Sequence, residues 1–422
     1  MDLVLRLRRA GVGVFINSLY PLIIKKREKK TGKKEKINVV FFAMSMAMWN
    51  YQGVYDLLSK DNRFNCYIVL TGARQYFKEQ RHRELENLRD YFKSKKIDFI
   101  DFDEIKDEGF DVKGLINPDI LFYPQPYEGQ YVKQHGFWNF RDKLICYVVY
   151  GISVMAVNDS HWMYDTYFHN FAWKCYYPFQ FIKQQAESNA RNHARNVVVC
   201  GYPNMDRYLS DECVDVWKIK DCSFKRLIWA PHYSIPADNN WVTRSNFLWM
   251  SDLMLGIAKR YSDRLQIAFK PHPWLKTTLY KHPEWGKEKT DQYFDQWDNM
   301  SNTFIASDFV DLFKSSDAMI HDSVSFTAEY LFVNKPVAYI TKDLQKLEDD
   351  SSEFGRAALS QHYIVQSEED VYTFINDVVL GGKDTKRPQR TEFFENVLKP
   401  NSSGSTSLNI VNDMKRSLGI KE

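Results

Sequence analysis

The chain has 422 residues, of which 44% are apolar and 15% aromatic, and its formal net charge is +3. The length points to two or three domains with substantial cores. The charge is uneven. Residues 1–36 carry eleven Lys/Arg against three Asp/Glu, a net of +8, which leaves −5 for the remainder. A mildly acidic body argues against nucleic acid as its partner.

Residues 1–36 form the basic segment. Its apolar part, Ala10–Ile24, is shorter than the roughly 20 residues a spanning helix needs, and Asn17, Ser18 and Pro21 interrupt it. KKREKK follows where a secretory signal would place small residues. Apolar residues next to clustered Lys and Arg predict an amphipathic anchor on an anionic membrane surface. The expected location is cytoplasmic, peripheral on the inner face of the cell membrane.

From Ile37 the pattern alternates between strand and helix. INVVFFAMS is uncharged and β-rich, as a strand buried on both faces should be. CYIVLTG, KIDFIDF, NPDILFYPQPY and KLICYVVYGI read as further strands, with helices over 49–58 and 74–96. No GxGxxG follows the first strand, so the dinucleotide fingerprint is absent. An aromatic helical region and the strand NVVVCGYPNMD complete a first domain, 37–205. The second domain, 206–422, repeats the alternation. RLIWAPHY is a strand, 241–261 a helix, and RLQIAFKPHPWLK and NTFIAS are strands. The stretch Asp317–Thr341, DAMIHDSVSFTAEYLFVNKPVAYIT, reads as strand, polar turn, helix, strand. Asn334-Lys335-Pro336 stops that helix, because Pro cannot continue it. The fold class is therefore α/β, with two Rossmann-like domains facing each other across a cleft. Ligands in such sheets bind at the carboxyl ends of the strands, and the polar turns at 150–151, 231–233, 270–273 and 321–325 all fall there.

Three histidines occupy those ends: His232 after a Pro, His272 between two prolines, and His321 at the head of its polar cluster. Histidine suits acid–base work near neutral pH, and as a cation it suits a diphosphate. Ser323, Ser325 and Asp322 can cap the following helix, whose free N–H groups suit a phosphate. Glu329 follows, placed for sugar hydroxyls. Six cysteines lack any CxxC or zinc-ligand spacing, which predicts reduced thiols and no metal site.

KPHPWLK (270–276), IWAPHYSI (228–235) and the stretch from Asp317 resemble the CDP-glycerol glycerophosphotransferases of teichoic-acid and capsule synthesis. Asp322, Ser325, Glu329 and Lys335-Pro336 match the family pattern, while Ser323 and Val324 depart from it. The resemblance covers the C-terminal half well and the N-terminal half by architecture. It implies a GT-B arrangement, no cofactor, and a CDP-linked donor held mainly by the C-terminal domain. Where the family has a His-Gly thought to activate the acceptor, this chain has Tyr150-Gly151. Tyrosine, with a reference pKa near 10, is a poor base at neutral pH.

The resulting expectation is a transferase moving a glycerol-phosphate or ribitol-phosphate unit to a lipid-linked glycan or growing polymer. His272, His232 and His321 are the expected catalytic residues. Lys270, Asp322, Ser323, Ser325, Glu329, Tyr150 and Gly151 are expected to bind substrate. The alternatives are a GT-B glycosyltransferase using a nucleotide sugar and an inactive GT-B-like scaffold of a membrane complex. The products, or the absence of CDP-ligand binding, would separate them.

Overall fold

The computed structural model describes residues 13–72, 74, 78–102, 111–152, 154–155, 161–235, 244–306, 309–399 and 404–421. They form two units. The first comprises Met1–Gly151, Asp159–Asp206 and Pro400–Glu422, and the second Ile152–Asn158 and Arg207–Lys399.

The sheet of the first unit contains β1 (Ile37–Ala43), β2 (Phe64–Leu70), β3 (Ile100–Asp101), β4 (Ile120–Tyr123), β5 (Leu144–Val148), β6 (Lys174–Tyr177) and β7 (Val197–Val199). Their order is β3-β2-β1-β4-β5-β6-β7, and every pairing is parallel. Period-two alternation splits the apolar run of β1 between two cores. Ile37, Val39, Phe41 and Ala43 enter one layer, and Val40 and Phe42 the other. Residues 174–177 sit in a region the pattern assigns to helix. They are a strand because the aromatic run KCYY is buried between neighbours in the sheet.

The second sheet contains β8 (Lys225–Ala230), β9 (Leu265–Phe269), β10 (Thr303–Ile305), β11 (Ala318–His321), β12 (Val337–Ile340) and β13 (Tyr363–Val365). Its order is β10-β9-β8-β11-β12-β13, again all parallel. In each sheet the chain starts at the centre, winds outward to one edge, then returns to the other side of its first strand. The winding reverses between β1 and β4 in the first sheet, and between β8 and β11 in the second. Such switch points are where doubly wound sheets leave a crevice for ligands.

Two assignments differ from the sequence reading. The segment Pro400–Glu422 does not stay with the second unit. Its helix Thr406–Leu418 buries Ile410, Val411, Met414 and Leu418 in the core that holds Val54 and Leu58. Asp206 accepts the backbone N–H groups of Thr406 and Ser407, fixing where that helix begins.

The basic segment is also no detached anchor over its described residues. A π-helical turn, Phe15–Leu19, runs into the helix Tyr20–Gly32, and Ile16, Tyr20 and Thr31 are buried. Tyr20 donates to the Phe171 carbonyl at 2.5 Å, Arg195 to the Ile16 carbonyl at 2.7 Å, and the Trp173 indole to Glu28 at 2.7 Å. Gly32 ends the helix against the last one. A Cβ there would stand 1.9 Å from the Leu418 carbonyl oxygen, so only glycine permits the approach. No helix among the described residues is long and apolar enough to cross a membrane.

Candidate active site in the second unit

The carboxyl ends of β8, β9 and β11 deliver three polar turns. After β8 comes Pro231-His232, after β9 Lys270-Pro271-His272-Pro273, and after β11 Asp322-Ser323. His232 and His272 meet, with ring centroids 5.2 Å apart and planes at 61°. Tyr233 packs against both, at 4.5 and 4.4 Å, and Trp274 closes the group at 5.1 Å from Tyr233. The His272 N–H donates to the Pro231 carbonyl at 3.0 Å, which ties the two turns together.

Both imidazoles have the same tautomer. The backbone N–H of Trp274 donates to His272 Nδ1 at 3.1 Å. That of Ser234 donates to His232 Nδ1 at 3.3 Å, and the Ser234 hydroxyl lies 2.8 Å from the same nitrogen. A backbone N–H can only donate, so each Nδ1 accepts and each neutral ring carries its proton on Nε2. Burial lowers His232 to a pKa of about 4, with the charge of Arg244 adding to it. Burial likewise lowers His272 to about 3, helped by His232 and Lys270. At neutral pH the pair therefore offers two neutral Nε2–H donors. The free site thus holds two neutral rings, and the Nδ1 of each is already engaged by a backbone N–H.

Asp322 holds the assembly from below. Its Oδ1 accepts the His232 N–H at 2.6 Å, and its Oδ2 accepts the Asn246 N–H at 2.5 Å and the Asn246 Nδ2 at 3.3 Å. The side chain is 1% exposed, and burial raises its pKa to about 6 against the opposing pull of these bonds. Both oxygens are committed to the protein. Asp322 is thus a clasp between the turn after β8, the start of helix Phe247–Arg260 and β11, not a group open to substrate. Asn246, Arg244 and Ser234 escaped the sequence reading. The one available signal was Asn246 as a cap before FLWM. The structure instead directs its amide to Asp322 and the Ile340 carbonyl.

His321 does not join this group. His321 is 0% exposed, since it lies on the face of β11 opposite Ala318 and Ile320. Its ring packs on Tyr339 and His362 at 5.1 and 5.3 Å, and its Nδ1 accepts the Ser323 N–H at 3.1 Å. It is a core residue, and burial drives its pKa well below the usual value. Ser325 opens a short helix, Phe326–Glu329, without a side-chain cap, contrary to the expected capping role. That helix continues as the 3₁₀ turn Tyr330–Val333 and ends at Asn334, whose φ is +50°. Ser323, Lys270 and Glu329 are 7%, 8% and 4% exposed. Lys335 is spent on the end of helix Val310–Ser315, donating to the carbonyls of Phe313, Lys314 and Ser316. Tyr150 and Gly151 belong to the first unit, beyond β5. Burial raises the Tyr150 hydroxyl further above its usual range, which moves it away from base chemistry. At the switch point of that sheet lie Ser45 and Gln125, with Asn50 bonded to the Val149 carbonyl beyond β5. Their side-chain oxygens are buried without partners.

A family model described as CDP-Glycerol:Poly(glycerophosphate) glycerophosphotransferase matches residues 176–412, more than half of the chain. The chain belongs to this family. It is a CDP-glycerol glycerophosphotransferase-like transferase, and His232, His272 and Asp322 all lie inside the matched stretch. Solved structures agree on the fold. A variant of the wall teichoic acid polymerase TagF, soaked with CDPG, is 14% identical, covering 99% of this chain and 97% of that one at a TM-score of 0.57. The S. aureus MnaA–UDP co-structure is 12% identical over 91% and 98%, also at 0.57. The UDP-GlcNAc 2-epimerase from Neisseria meningitidis bound to UDP-GlcNAc is 16% identical over 90% and 100%, at 0.52. The two sheets of this chain are thus those of a GT-B-like α/β fold. No curated protein matches the chain.

Proposed function

We propose that this glycerophosphotransferase transfers a glycerol-phosphate or ribitol-phosphate unit to a hydroxyl of a lipid-linked glycan or growing polymer. The acceptor oxygen attacks the phosphorus that bears the polyol. A new P–O bond forms, the bond to the bridging oxygen breaks, CMP leaves, and the acceptor proton is released. The observation that carries this reading is the His232–His272 pair at the switch point of the second sheet. Two preorganised Nε2–H donors suit the charge that grows on the departing phosphate, and they need no reorganisation as it grows. Lys270 and Ser323, on the turns after β9 and β11, and Ser325 and Glu329, at the two ends of the short helix that follows, complete the proposed donor site. The polar oxygens of Ser45, Asn50 and Gln125 suit hydroxyl donors, which favours the first unit for the acceptor. Incubating the protein with CDP-glycerol and an acceptor should yield CMP and a phosphodiester. A nucleoside diphosphate and a glycoside, formed from a nucleotide sugar, would overturn the reading.

Proton linkage gives a second check. Both imidazoles are neutral in the free site, with pKa lowered to about 4 and about 3. A bound diphosphate favours the charged form and raises both values. Donor binding is expected to take up protons and to tighten as pH falls from 7 towards 5. Calorimetry in buffers of different ionisation enthalpy measures the uptake. The free protein should behave oppositely. Histidines lowered from 6.5 contribute stability above that pH and lose it as pH falls towards 4.

The location proposed for the reaction is an anionic membrane surface. Val14, Leu19 and Leu22 are 64%, 55% and 63% exposed. Lys25, Lys26, Lys29, Lys30 and Lys33 are exposed along the same helix and its end. Trp138 and Tyr167, also exposed, pack 6.0 Å apart, with Trp138 against Phe171 and Phe171 against Phe15. Because the inner face of this helix is part of the fold, the test is substitution, not deletion. Leu19→Glu with Leu22→Glu should abolish flotation with vesicles of phosphatidylglycerol and phosphatidylethanolamine while the melt is unchanged. Salt should weaken flotation only in part, since it screens the lysines and not the apolar contact. Flotation by the double variant would remove this helix as the anchor.

A further inference from the structure

A pocket of about 330 Å³ opens in the second unit, between the start of helix Phe247–Arg260 and the chain that follows β12. Arg244, Asn246, Trp249, Lys342, Lys346 and Asp350 line it. The Arg244 side chain is 7% exposed; the Tyr339 hydroxyl on the same wall interacts with its guanidinium, but Nε and Nη2 are buried without a hydrogen-bond partner. The Asp350 carboxylate stands 3.7 Å from Nη2, beyond hydrogen-bond reach. Lys342 Nζ lies 3.8 Å from the Trp249 ring centroid, and Lys346 Nζ bonds Asp350 at 3.1 Å. A second acid on the wall, Asp343, spends its carboxylate on the Lys346 backbone N–H at 2.9 Å. A buried guanidinium with idle donors is unfavourable until an acceptor reaches it. Its planar fork is the shape that phosphate oxygens satisfy in pairs.

We propose that this pocket binds the phosphate of a small polyol phosphate ester, with Arg244 as its main partner and Lys342 and Lys346 beside it. The pocket is joined to the histidine pair by hydrogen bonds. Asn246, on its wall, holds Asp322, which holds the turn of His232. The Arg244 N–H donates to the Ser234 hydroxyl at 3.1 Å, and that hydroxyl bonds His232. A phosphate on Arg244 therefore sits within the electrostatic reach of His232, whose pKa Arg244 already lowers. The volume lies in the range of small-molecule sites and accommodates glycerol phosphate. Two sources share that chemistry: the polyol-phosphate end of the donor, or the terminal unit of a polymeric acceptor. The inference rests on the transferase reading for which source applies, and not for the anion itself.

The test is calorimetric titration of the full chain with glycerol 3-phosphate, in the absence of any donor. Arg244→Gln should weaken binding by about tenfold or more, the scale of lost charge-assisted hydrogen bonds. Asp350→Asn should tighten it, because the competing carboxylate is gone. Asp350 is 39% exposed, so this second variant should fold even where the first does not. Unchanged affinity in a folded Arg244→Gln protein, or weaker binding by Asp350→Asn, would overturn the proposal. Repeating the titration with saturating CDP-glycerol distinguishes the sources, since competition assigns the pocket to the donor and simultaneous binding to the acceptor. Glycerol phosphate binding without any transfer activity would leave the pocket standing and defeat the transferase reading instead.

Discussion

His272→Ala is expected to lower turnover of the CDP-linked donor by roughly 10²–10³, the usual cost of one preorganised donor to developing charge. The melt should change little, though not for want of contacts. The imidazole accepts the Trp274 N–H, which precedes helix Leu275–Lys281. Losing that bond costs about 0.5–1.5 kcal/mol, and the turn is open enough for water to replace it. The ring also packs on His232, Tyr233 and Trp274, so the truncated turn keeps its prolines but loses three aromatic contacts. His272→Gln separates the possible roles. A glutamine can donate from a similar place, so partial recovery of turnover identifies neutral hydrogen bonding. No recovery would mean that the bound state needs a charge or a transferred proton. Turnover and thermal melting on the same preparations decide it. Wild-type turnover in His272→Ala would take the histidine pair out of the site and with it the support for a donor site in this unit.

Asp322→Ala should act on both stability and binding. It leaves the backbone N–H groups of His232 and Asn246 without their acceptor, while the Asn246 amide keeps the Arg244 and Ile340 carbonyls. Each orphaned buried donor costs about 1–3 kcal/mol before relaxation, so a net loss on the order of 3 kcal/mol is expected. Donor affinity should fall with it, because the clasp is what sets the His232 turn against His272. Asp322→Asn keeps one acceptor but turns an amide NH₂ towards a donor, and should fall between the two. The carboxylate itself carries a burial cost. Its pKa is raised to about 6, so its contribution to stability declines as pH rises from about 4 towards 6. Hydrogen exchange of the backbone around His232 and Asn246 should quicken in Asp322→Ala. A variant with unchanged melting, exchange and donor affinity would show that Asp322 does not organise the site.

The two α/β sheets were legible in the residues alone, because buried parallel strands need apolar runs such as INVVFFA and RLQIAF whatever surrounds them. So was the placement of the polar turns of the second sheet at carboxyl strand ends, since its apolar runs stop at Pro231, Lys270-Pro271 and His321-Asp322. Which of those residues meet was decided by strand order. β8 and β11 are adjacent, and β9 flanks β8, so His232, His272 and Asp322 converge although 40, 50 and 90 positions separate the three pairs. Strand phase then decided His321. One position along β11 reverses the face, so Ile320 joins one layer and His321 is sealed in the other. Asp322 and Ser325 read alike as capping groups, but only the folded loops show that the first is claimed by three N–H groups and the second by none. The basic helix and the last helix follow the same logic. Amphipathic patterning announces an apolar face without naming what covers it, and Ile16, Tyr20, Ile410 and Met414 found their cover in the first unit.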